Sequence, residues 1–239
     1  TNKAEVALTV TKKLDTGSLT LQQNETFTFT LSQDGKEISS QTVEFTKGAA
    51  NNTTKSVTFF GLEQGKTYTL TETAHSGFVL TGMTCGGTKL TVTTDKDGNG
   101  SVQVTMPDDG TGLTVIATNR ALQGSITLNK QDGTNKRPLA GATFTISRNG
   151  TPAMQPITVT TNAQGSATAV VPLTSEDGNT FTITETAAPD GYVLKADPVT
   201  VTVTPGAAVT STAGNGLIVN NYPGVKIQLT KYDNTKEGR

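Results

Sequence analysis

The chain has 239 residues, with 19 Lys and Arg against 20 Asp and Glu and a formal net charge of −1 at pH 7. Because neither half carries a basic stripe that could displace counterions from phosphates, this balance argues against a nucleic-acid-binding protein. Cys85 is the single cysteine, which excludes both an intrachain disulfide and a cysteine metal cluster. No apolar run reaches the roughly 18 residues of a membrane-spanning helix, so we expect no membrane insertion.

Short segments rich in Thr and Val, separated by turn signals, predict an all-β chain of two tandem immunoglobulin-like sandwich domains. In the first domain, residues 1–121, the predicted strands are Val6–Lys12, Thr26–Leu31, Glu37–Phe45, Lys55–Phe60, Lys66–Thr73, Thr88–Thr93, Ser101–Met106 and Leu113–Asn119. In the second, residues 122–223, they are Ser125–Lys130, Ala142–Ser147, Ile157–Thr161, Ala167–Val171, Asn179–Thr186, Val199–Val203 and Leu217–Asn221. The short junctions predict a semi-rigid rod.

Residues 224–239 repeat the beginning of the second domain. Val225–Asp233 (VKIQLTKYD) follows the pattern of Ser125–Asp132 (SITLNKQD), and Lys231 takes the phase of Lys130. We therefore expect the first strand of a third repeat, cut before the rest of that repeat, with Lys231 unreacted in this chain.

Three polar residue types recur where strand alternation expects an apolar core residue. They are Lys12, Glu72 and Asn119 in the first domain, and Lys130, Glu185 and Asn221 in the second. Each shares its phase with apolar neighbours and should therefore point inward. A lysine that snorkels to water, beside a surface glutamate and a turn-capping asparagine, would explain one such set. The repetition in the same order and phase instead favours two buried trios.

A buried trio suggests a covalent bond. An ammonium and a carboxylate cost several kcal/mol to desolvate, and a Lys–Asn amide removes the charge altogether. Burial favours the neutral amine, which is a nucleophile, and a protonated glutamate can polarise the asparagine carbonyl and carry the proton that the departing ammonia needs. Such a reaction occurs once per domain and requires no cofactor, metal or external enzyme. We therefore predict a self-modifying protein rather than an enzyme.

The second domain resembles the Cna B-type (prealbumin-like) repeats of Gram-positive pilins and surface adhesins. The similar segments are Phe181–Tyr192 (FTITETAAPDGY), the opening strand SITLNKQD with the following PLAGATFTI, and the closing VNN. The resemblance implies that Lys130 is the nucleophile, Glu185 the catalytic acid and Asn221 the acceptor of an intramolecular isopeptide bond. It also implies an extracellular, cell-wall-anchored surface protein whose anchor lies outside this segment.

The first domain departs further from that pattern. Tyr68–Phe78 (YTLTETAHSGF) keeps Glu72 but lacks the Ala-Pro pair and one loop residue, and Val79–Gly112 forms a longer segment before the closing strand. Lys13 is an alternative to Lys12, although its phase places it on the outer face. In the second domain, Asn220 is the corresponding alternative to Asn221.

Other possible sites have simpler interpretations. Asp95–Gly100 (DKDGNG) resembles the first half of a calcium loop, but Met106 stands where a bidentate glutamate is needed, so a hairpin turn is expected. His75 has no serine or cysteine motif beside it and is predicted to be a surface loop residue. Cys85 lacks the glutamine that would follow in a thioester-forming adhesin domain, so it is predicted to be a simple thiol.

These patterns predict a stalk or shaft segment of a Gram-positive surface fibre, stabilised by its own Lys–Asn bonds. Its partners would be neighbouring domains or pilin subunits of the same fibre. The alternative is a ligand-binding adhesin domain that contacts a host matrix protein or glycan, with Val79–Gly112 as the receptor surface. That alternative requires an exposed apolar patch in this segment, for which Phe78, Val79, Leu80 and Met83 are the sizeable candidates.

Overall fold

The structure, a computed structural model, describes residues 5–150, 154–195, 197–212 and 216–224. Two predictions lie outside the described residues, namely the third-repeat strand Val225–Asp233 and the unreacted state of Lys231. In the described part, strands connected by turns and loops form four sheets, two in each half of the chain. The all-β sandwich class predicted from the sequence is confirmed.

The first half contains ten strands: β1 (Glu5–Asp15), β2 (Glu25–Gln33), β3 (Lys36–Phe45), β4 (Thr53–Glu63), β5 (Thr67–Glu72), β6 (Phe78–Cys85), β7 (Thr88–Lys89), β8 (Thr93–Thr94), β9 (Gly100–Thr105) and β10 (Leu113–Ala121). They form the sheets β4-β1-β10-β6-β7 and β3-β2-β5-β9-β8. Alternate residues of β1, β2 and β5 are buried, so the two inner faces share one apolar core.

The second half contains eight strands: β11 (Gln123–Asp132), β12 (Thr143–Arg148), β13 (Ile157–Thr160), β14 (Ser166–Pro172), β15 (Asn179–Ala187), β16 (Val199–Val203), β17 (Ala208–Thr210) and β18 (Ile218–Asn221). One sheet has the order β13-β12-β15-β16. The other has the order β14-β11-β17, and β18 also pairs with β11. The second apolar core lies between these two sheets.

In both domains the opening and closing strands are parallel neighbours. β1 pairs with β10 over eight residues, and β11 pairs with β17 and then with β18. Parallel neighbours require a long connection, and here the rest of each domain provides it. The two strands that lead into and out of each sandwich therefore lie side by side in one sheet.

The sequence prediction was wrong for the segment after Glu72. No strand was predicted over Phe78–Cys85, but this segment forms β6 and pairs with β10. The predicted strand Thr88–Thr93 is instead divided into β7 and β8, which belong to different sheets. β17 was also not predicted. The pairing of β6 shifts register between Thr118 and Asn119, and this irregularity, with Gly82 opposite it, breaks the alternation by which a strand is recognised.

Only Leu122 separates the two domains in sequence, and it is buried. Its N–H donates to the carbonyl of Gly77 at 2.8 Å, while its own carbonyl accepts the N–H of Leu173 at 2.9 Å. The Gln123 side chain also donates to the carbonyl of Thr16 at 3.0 Å, and Val79 packs against the second core. Hydrogen bonds and apolar contacts thus fasten the junction.

No helix in the described part of the chain has the length and apolar character needed to cross a membrane.

Candidate cross-linking sites

The strand register brings each predicted trio together in the same way. In the parallel pair β1–β10, Lys12 lies opposite Ala117, so Asn119 is two residues further along on the same face. In β11–β18, Lys130 lies opposite Val219, and Asn221 is again two residues further along. The glutamates Glu72 and Glu185 come from the facing sheet of each sandwich, on β5 and β15. Two domains with different loops therefore share one geometry.

The first site is enclosed by apolar side chains. Lys12 is 0 % exposed, Glu72 2 % and Asn119 1 %. The Lys12 ammonium donates to Glu72 Oε1 at 2.6 Å, and the Asn119 amide donates to the same oxygen at 2.6 Å. The ammonium also lies 4.5 Å from the ring centre of Phe27 and 5.7 Å from that of Phe29. These rings stabilise the cation while excluding water from it.

The second site is equally buried but connected differently. Lys130 Nζ donates to the side-chain oxygen of Asn221 and, at 3.1 Å, to the backbone carbonyl of Val219. The Asn221 amide donates to Glu185 Oε1 at 2.9 Å, and that oxygen lies 3.7 Å from Lys130 Nζ. The other carboxyl oxygen, Oε2, accepts the backbone N–H of Lys195 at 2.9 Å. Nucleophile and acceptor are therefore in direct contact.

Burial changes the acid–base behaviour of both lysines. Desolvation lowers the pKa of Lys12 from 10.5 to about 8, although the nearby Glu72 carboxylate opposes this shift. Desolvation likewise lowers the pKa of Lys130 to about 8, against the opposing effect of Glu185, and the Lys195 ammonium lowers it slightly further. Both amines thus lose their protons closer to neutral pH than an exposed lysine would. Each lysine is a more available nucleophile than its residue type alone suggests.

The first site leaves two buried acceptors unsatisfied. Within the described residues, Glu72 Oε2 and Asn119 Oδ1 have no hydrogen-bond partner. A buried polar atom without a partner costs about 1–3 kcal/mol. The unreacted first trio therefore leaves part of its buried hydrogen-bonding capacity unused.

The alternative residues Lys13 and Asn220 lie outside the trios. Lys13 is half-buried on the opposite face of β1 from Lys12, as its phase predicts. Asn220 accepts a hydrogen bond from the Gln131 side chain at 2.8 Å, on the opposite face from Asn221. Strand alternation alone therefore separates each member of the trio from its neighbour.

The remaining predicted features have structural roles. Asp95 and Asn99 hydrogen-bond to each other across the turn that joins β8 to β9, so the expected hairpin is confirmed. No group of acidic, His or Cys side chains able to hold a metal occurs among the described residues. Cys85 is a half-buried free thiol on β6.

His75 lies in the loop between β5 and β6 and is partly exposed, as predicted, but its ring also packs against the first domain. Its ring stacks on Phe27 with centres 4.6 Å apart, and its Nε2 lies 3.4 Å from a Glu25 carboxylate oxygen. Glu25 is itself partly buried, and this burial raises its pKa. The contact between His75 and Phe27 is not evident from the sequence, because the strand that supplies Phe27 is distant along the chain.

The structure adds contacts that the sequence analysis did not identify. The backbone N–H of Lys195 that binds Glu185 has no sequence signal, because every residue other than proline has such a donor. The contact between the Phe27 ring and Lys12 could not be predicted, because it depends on how the two sheets face each other. In the second domain, Tyr192 donates its hydroxyl to Asp132 at 2.9 Å and fastens the loop after β15 to the end of β11.

A comparison with known protein families finds a match for each half of the chain. Residues 124–216 match the model of the SpaA family, described as a prealbumin-like fold domain. The matched residues cover most of the second domain. This match confirms the resemblance found in its sequence. Residues 8–121 match the model of a domain of unknown function, DUF5979.

Solved structures that resemble this chain include two pilins and the Bacillus anthracis TIE protein. The shaft pilin SpaA from Lactobacillus rhamnosus GG is 14% identical, with a TM-score of 0.46 over 94% of this chain and 100% of that one. A Streptococcal ancillary pilin is 17% identical, with a TM-score of 0.38 over 95% of this chain and 64% of that one. The Bacillus anthracis TIE protein is 19% identical, with a TM-score of 0.41 over 92% of this chain and 34% of that one.

The chain thus spans about a third of the TIE protein and less than two thirds of the ancillary pilin. A comparison with curated proteins gives no match.

Proposed function

We propose that this chain is a structural segment of a stalk or shaft on the surface of a Gram-positive cell, and that each domain is locked by a self-formed amide bond. The bonds join Lys12 to Asn119 and Lys130 to Asn221. The observation that carries the proposal is the repeated burial of lysine, glutamate and asparagine between parallel opening and closing strands. The prealbumin-like match of the second domain supports it.

The reaction needs only the groups already in each core. Neutral Lys130 Nζ attacks the side-chain carbonyl carbon of Asn221, and a C–N bond forms as the carbonyl oxygen accepts charge. Glu185 donates a proton towards that oxygen or the leaving nitrogen and takes one back from the former lysine nitrogen. The bond from carbon to Nδ2 then breaks, ammonia leaves, and the glutamate is restored. Lys12, Glu72 and Asn119 would react in the same way.

Folding brings the reacting groups into contact and so favours the reaction. Held in contact within a core, the reactants gain an effective concentration that can reach roughly 10⁵–10⁸ M in well-oriented models. The reaction also removes a buried ammonium, whose desolvation is costly. At the first site, the carbonyl oxygen of the new amide can accept a hydrogen bond from the carboxyl hydroxyl that Glu72 regains at the end of the reaction. Bond formation thus removes the unfavourable burial of charged and unpaired polar groups that the unreacted trio requires.

The position of each bond suits a mechanical role. Tension that enters at the start of β1 and leaves at the end of β10 would shear two parallel strands along their length. A bond between Lys12 and Asn119 would transfer this load directly from strand to strand, and Leu122 would then pass it to β11. The strands between β1 and β10 would lie outside the load path. The same argument holds for the bond that joins β11 to β18.

The ligand-binding alternative requires an exposed apolar patch in the segment 79–112, and the candidate residues for that patch are not exposed. Met83 is fully buried, and Phe78, Val79 and Leu80 are half-buried in or beside the cores. The exposed large apolar residues of the described chain lie elsewhere: Ile38, Phe60, Ile116, Val193, Leu194 and Tyr222. The segment 79–112 therefore presents no apolar patch for a receptor.

An intact mass tests the proposal. The expected mass is that of the sequence minus two ammonia molecules, and peptide mapping should find Lys12 joined to Asn119 and Lys130 joined to Asn221. A mass equal to the unmodified sequence would refute self-linking. Loss of a single ammonia would restrict the proposal to whichever domain contains the mapped bond.

A further inference from the structure

The two glutamates differ in the surroundings of the carboxyl oxygen that faces away from the trio. In the second domain, Oε2 of Glu185 accepts the backbone N–H of Lys195 at 2.9 Å, while Oε1 faces Asn221 and Lys130. In the first domain, Oε2 of Glu72 has no partner among the described residues. One catalytic carboxyl is therefore held at both oxygens and the other at a single oxygen.

This contact determines which oxygen can carry the catalytic proton. A protonated carboxyl has one hydroxyl oxygen and one carbonyl oxygen, and a backbone N–H can only donate. Both carboxyl oxygens accept an N–H in the unreacted trio, Oε2 from the backbone of Lys195 and Oε1 from the Asn221 amide. The backbone donor is permanent and favours the carbonyl form of Oε2, whereas the Asn221 nitrogen leaves as ammonia during the reaction. This asymmetry favours the catalytic proton on Oε1, the oxygen next to Asn221. A carboxyl without this contact can place its proton on the wrong oxygen or rotate away.

The loop that carries this N–H is fixed at several points. The N–H of Tyr192 donates to the carbonyl of Pro189 at 3.0 Å, and the N–H of Val193 donates to the carbonyl of Tyr222 at 2.9 Å. The hydroxyl of Tyr192 is anchored on Asp132. Since Tyr222 directly follows Asn221, the same loop that positions the acid is tied to the strand that presents the acceptor.

We propose that the main-chain N–H of Lys195 is a positioning group for isopeptide formation in the second domain, and that it directs the proton of Glu185 to Oε1. This inference rests on the proposed self-linking function. Lys195 acts through Glu185 and through its backbone, so its side chain can be replaced without loss of the effect.

Two matched variants isolate the N–H. Lys195→Pro removes the donor, whereas Lys195→Ala keeps it and removes only the side chain. A third protein, with an ester in place of the Leu194–Lys195 amide, removes the donor without a proline ring. Each full-length chain is made by cell-free synthesis, and the fraction cross-linked at Lys130–Asn221 is followed in time by intact mass and peptide mapping. The Lys12–Asn119 bond in the same molecule is the internal control for synthesis and for folding of the first domain.

The proline and ester proteins should form the second bond roughly tenfold more slowly, as expected for one lost hydrogen bond to the catalytic group. The alanine protein should slow far less, by no more than the small rise in the Lys130 pKa expected when the Lys195 ammonium is removed, and the first bond should form equally fast in all of them. The inference is overturned if the ester protein reacts as fast as the unaltered chain, or if Lys195→Ala slows the reaction as much as Lys195→Pro. An unaltered chain that loses no ammonia would instead refute the proposed function itself.

Discussion

The two cross-linking sites share their framework and differ in the groups around it. In both, the lysine and the asparagine stand two residues apart in register on parallel neighbours, and a glutamate approaches from the facing sheet. Phe29 lies opposite Glu72 just as Phe144 lies opposite Glu185. Two residues before these phenylalanines, however, the first domain has Phe27 and the second has Ala142. Strand register thus reproduces the trio, while its immediate packing is free to diverge.

This difference affects which form of each lysine is favoured. Phe27 places an aromatic face 4.5 Å from the Lys12 ammonium, which stabilises the charged form. Lys130 instead donates to the Val219 carbonyl and to the acceptor Asn221 itself. The second site is therefore arranged closer to the reaction, and the first site shields its lysine as a cation.

The largest expected effect comes from removing an acid. Glu185→Gln preserves the size of the side chain but cannot carry the proton, so the second bond should not form. Loss of a cross-link that closes a loop of about 100 residues costs roughly 4–5 kcal/mol, which corresponds to a fall of about 20–35 °C in the unfolding midpoint of that domain. Calorimetry and intact mass measure both effects. Glu176→Gln, at an exposed position, is the control and should change neither.

A second comparison uses adjacent lysines on β1. Lys12→Met should prevent the first bond and leave the second intact, so the mass should fall by one ammonia instead of two. Its stability loss should be smaller than that of Glu185→Gln, because methionine replaces a buried ammonium with an apolar chain. Lys13→Met should retain both bonds. The assignment of Lys12 is wrong if the two variants give the opposite result.

The pH dependence should be common to both sites. The unfolded chain binds more protons than the unreacted folded chain between about pH 8 and 10.5, because burial lowers both lysine pKa values to about 8. The unreacted fold should therefore gain stability as the pH rises through this window.

Bond formation should slow about tenfold for each pH unit below 8, as the neutral amine becomes scarcer.

The smallest expected effect concerns the aromatic ring that contacts the lysine at the first site. Phe27→Leu removes the ring that favours the Lys12 ammonium by about 0.5–2 kcal/mol. Below pH 8, the first bond should therefore form a few-fold faster even though the core is packed less well, while the rate of the second bond stays the same. Time-resolved peptide mapping measures both bonds in one sample. A slower first bond would show that packing outweighs the cation–ring contact.

The sequence by itself determined the fold class and the membership of both trios. Alternation is a local property, so the phase of Lys12 with Val10, or of Asn221 with Val219, can be read without knowing what each strand pairs with. The same property distinguished Lys12 from Lys13 and Asn221 from Asn220. A register slip would have turned the whole strand to the other face, and for this reason the polar members had to share the core with their apolar neighbours.

Only the tertiary structure decided how the trios are arranged and what surrounds them. The identity of β6, the position of His75 on Phe27 and the N–H of Lys195 on Glu185 all depend on contacts between segments distant in sequence. A register shift hid β6 from pattern analysis, and a main-chain donor carries no residue signature. Periodicity shows which face a side chain takes, but the partner on that face is set by how the two sheets pack.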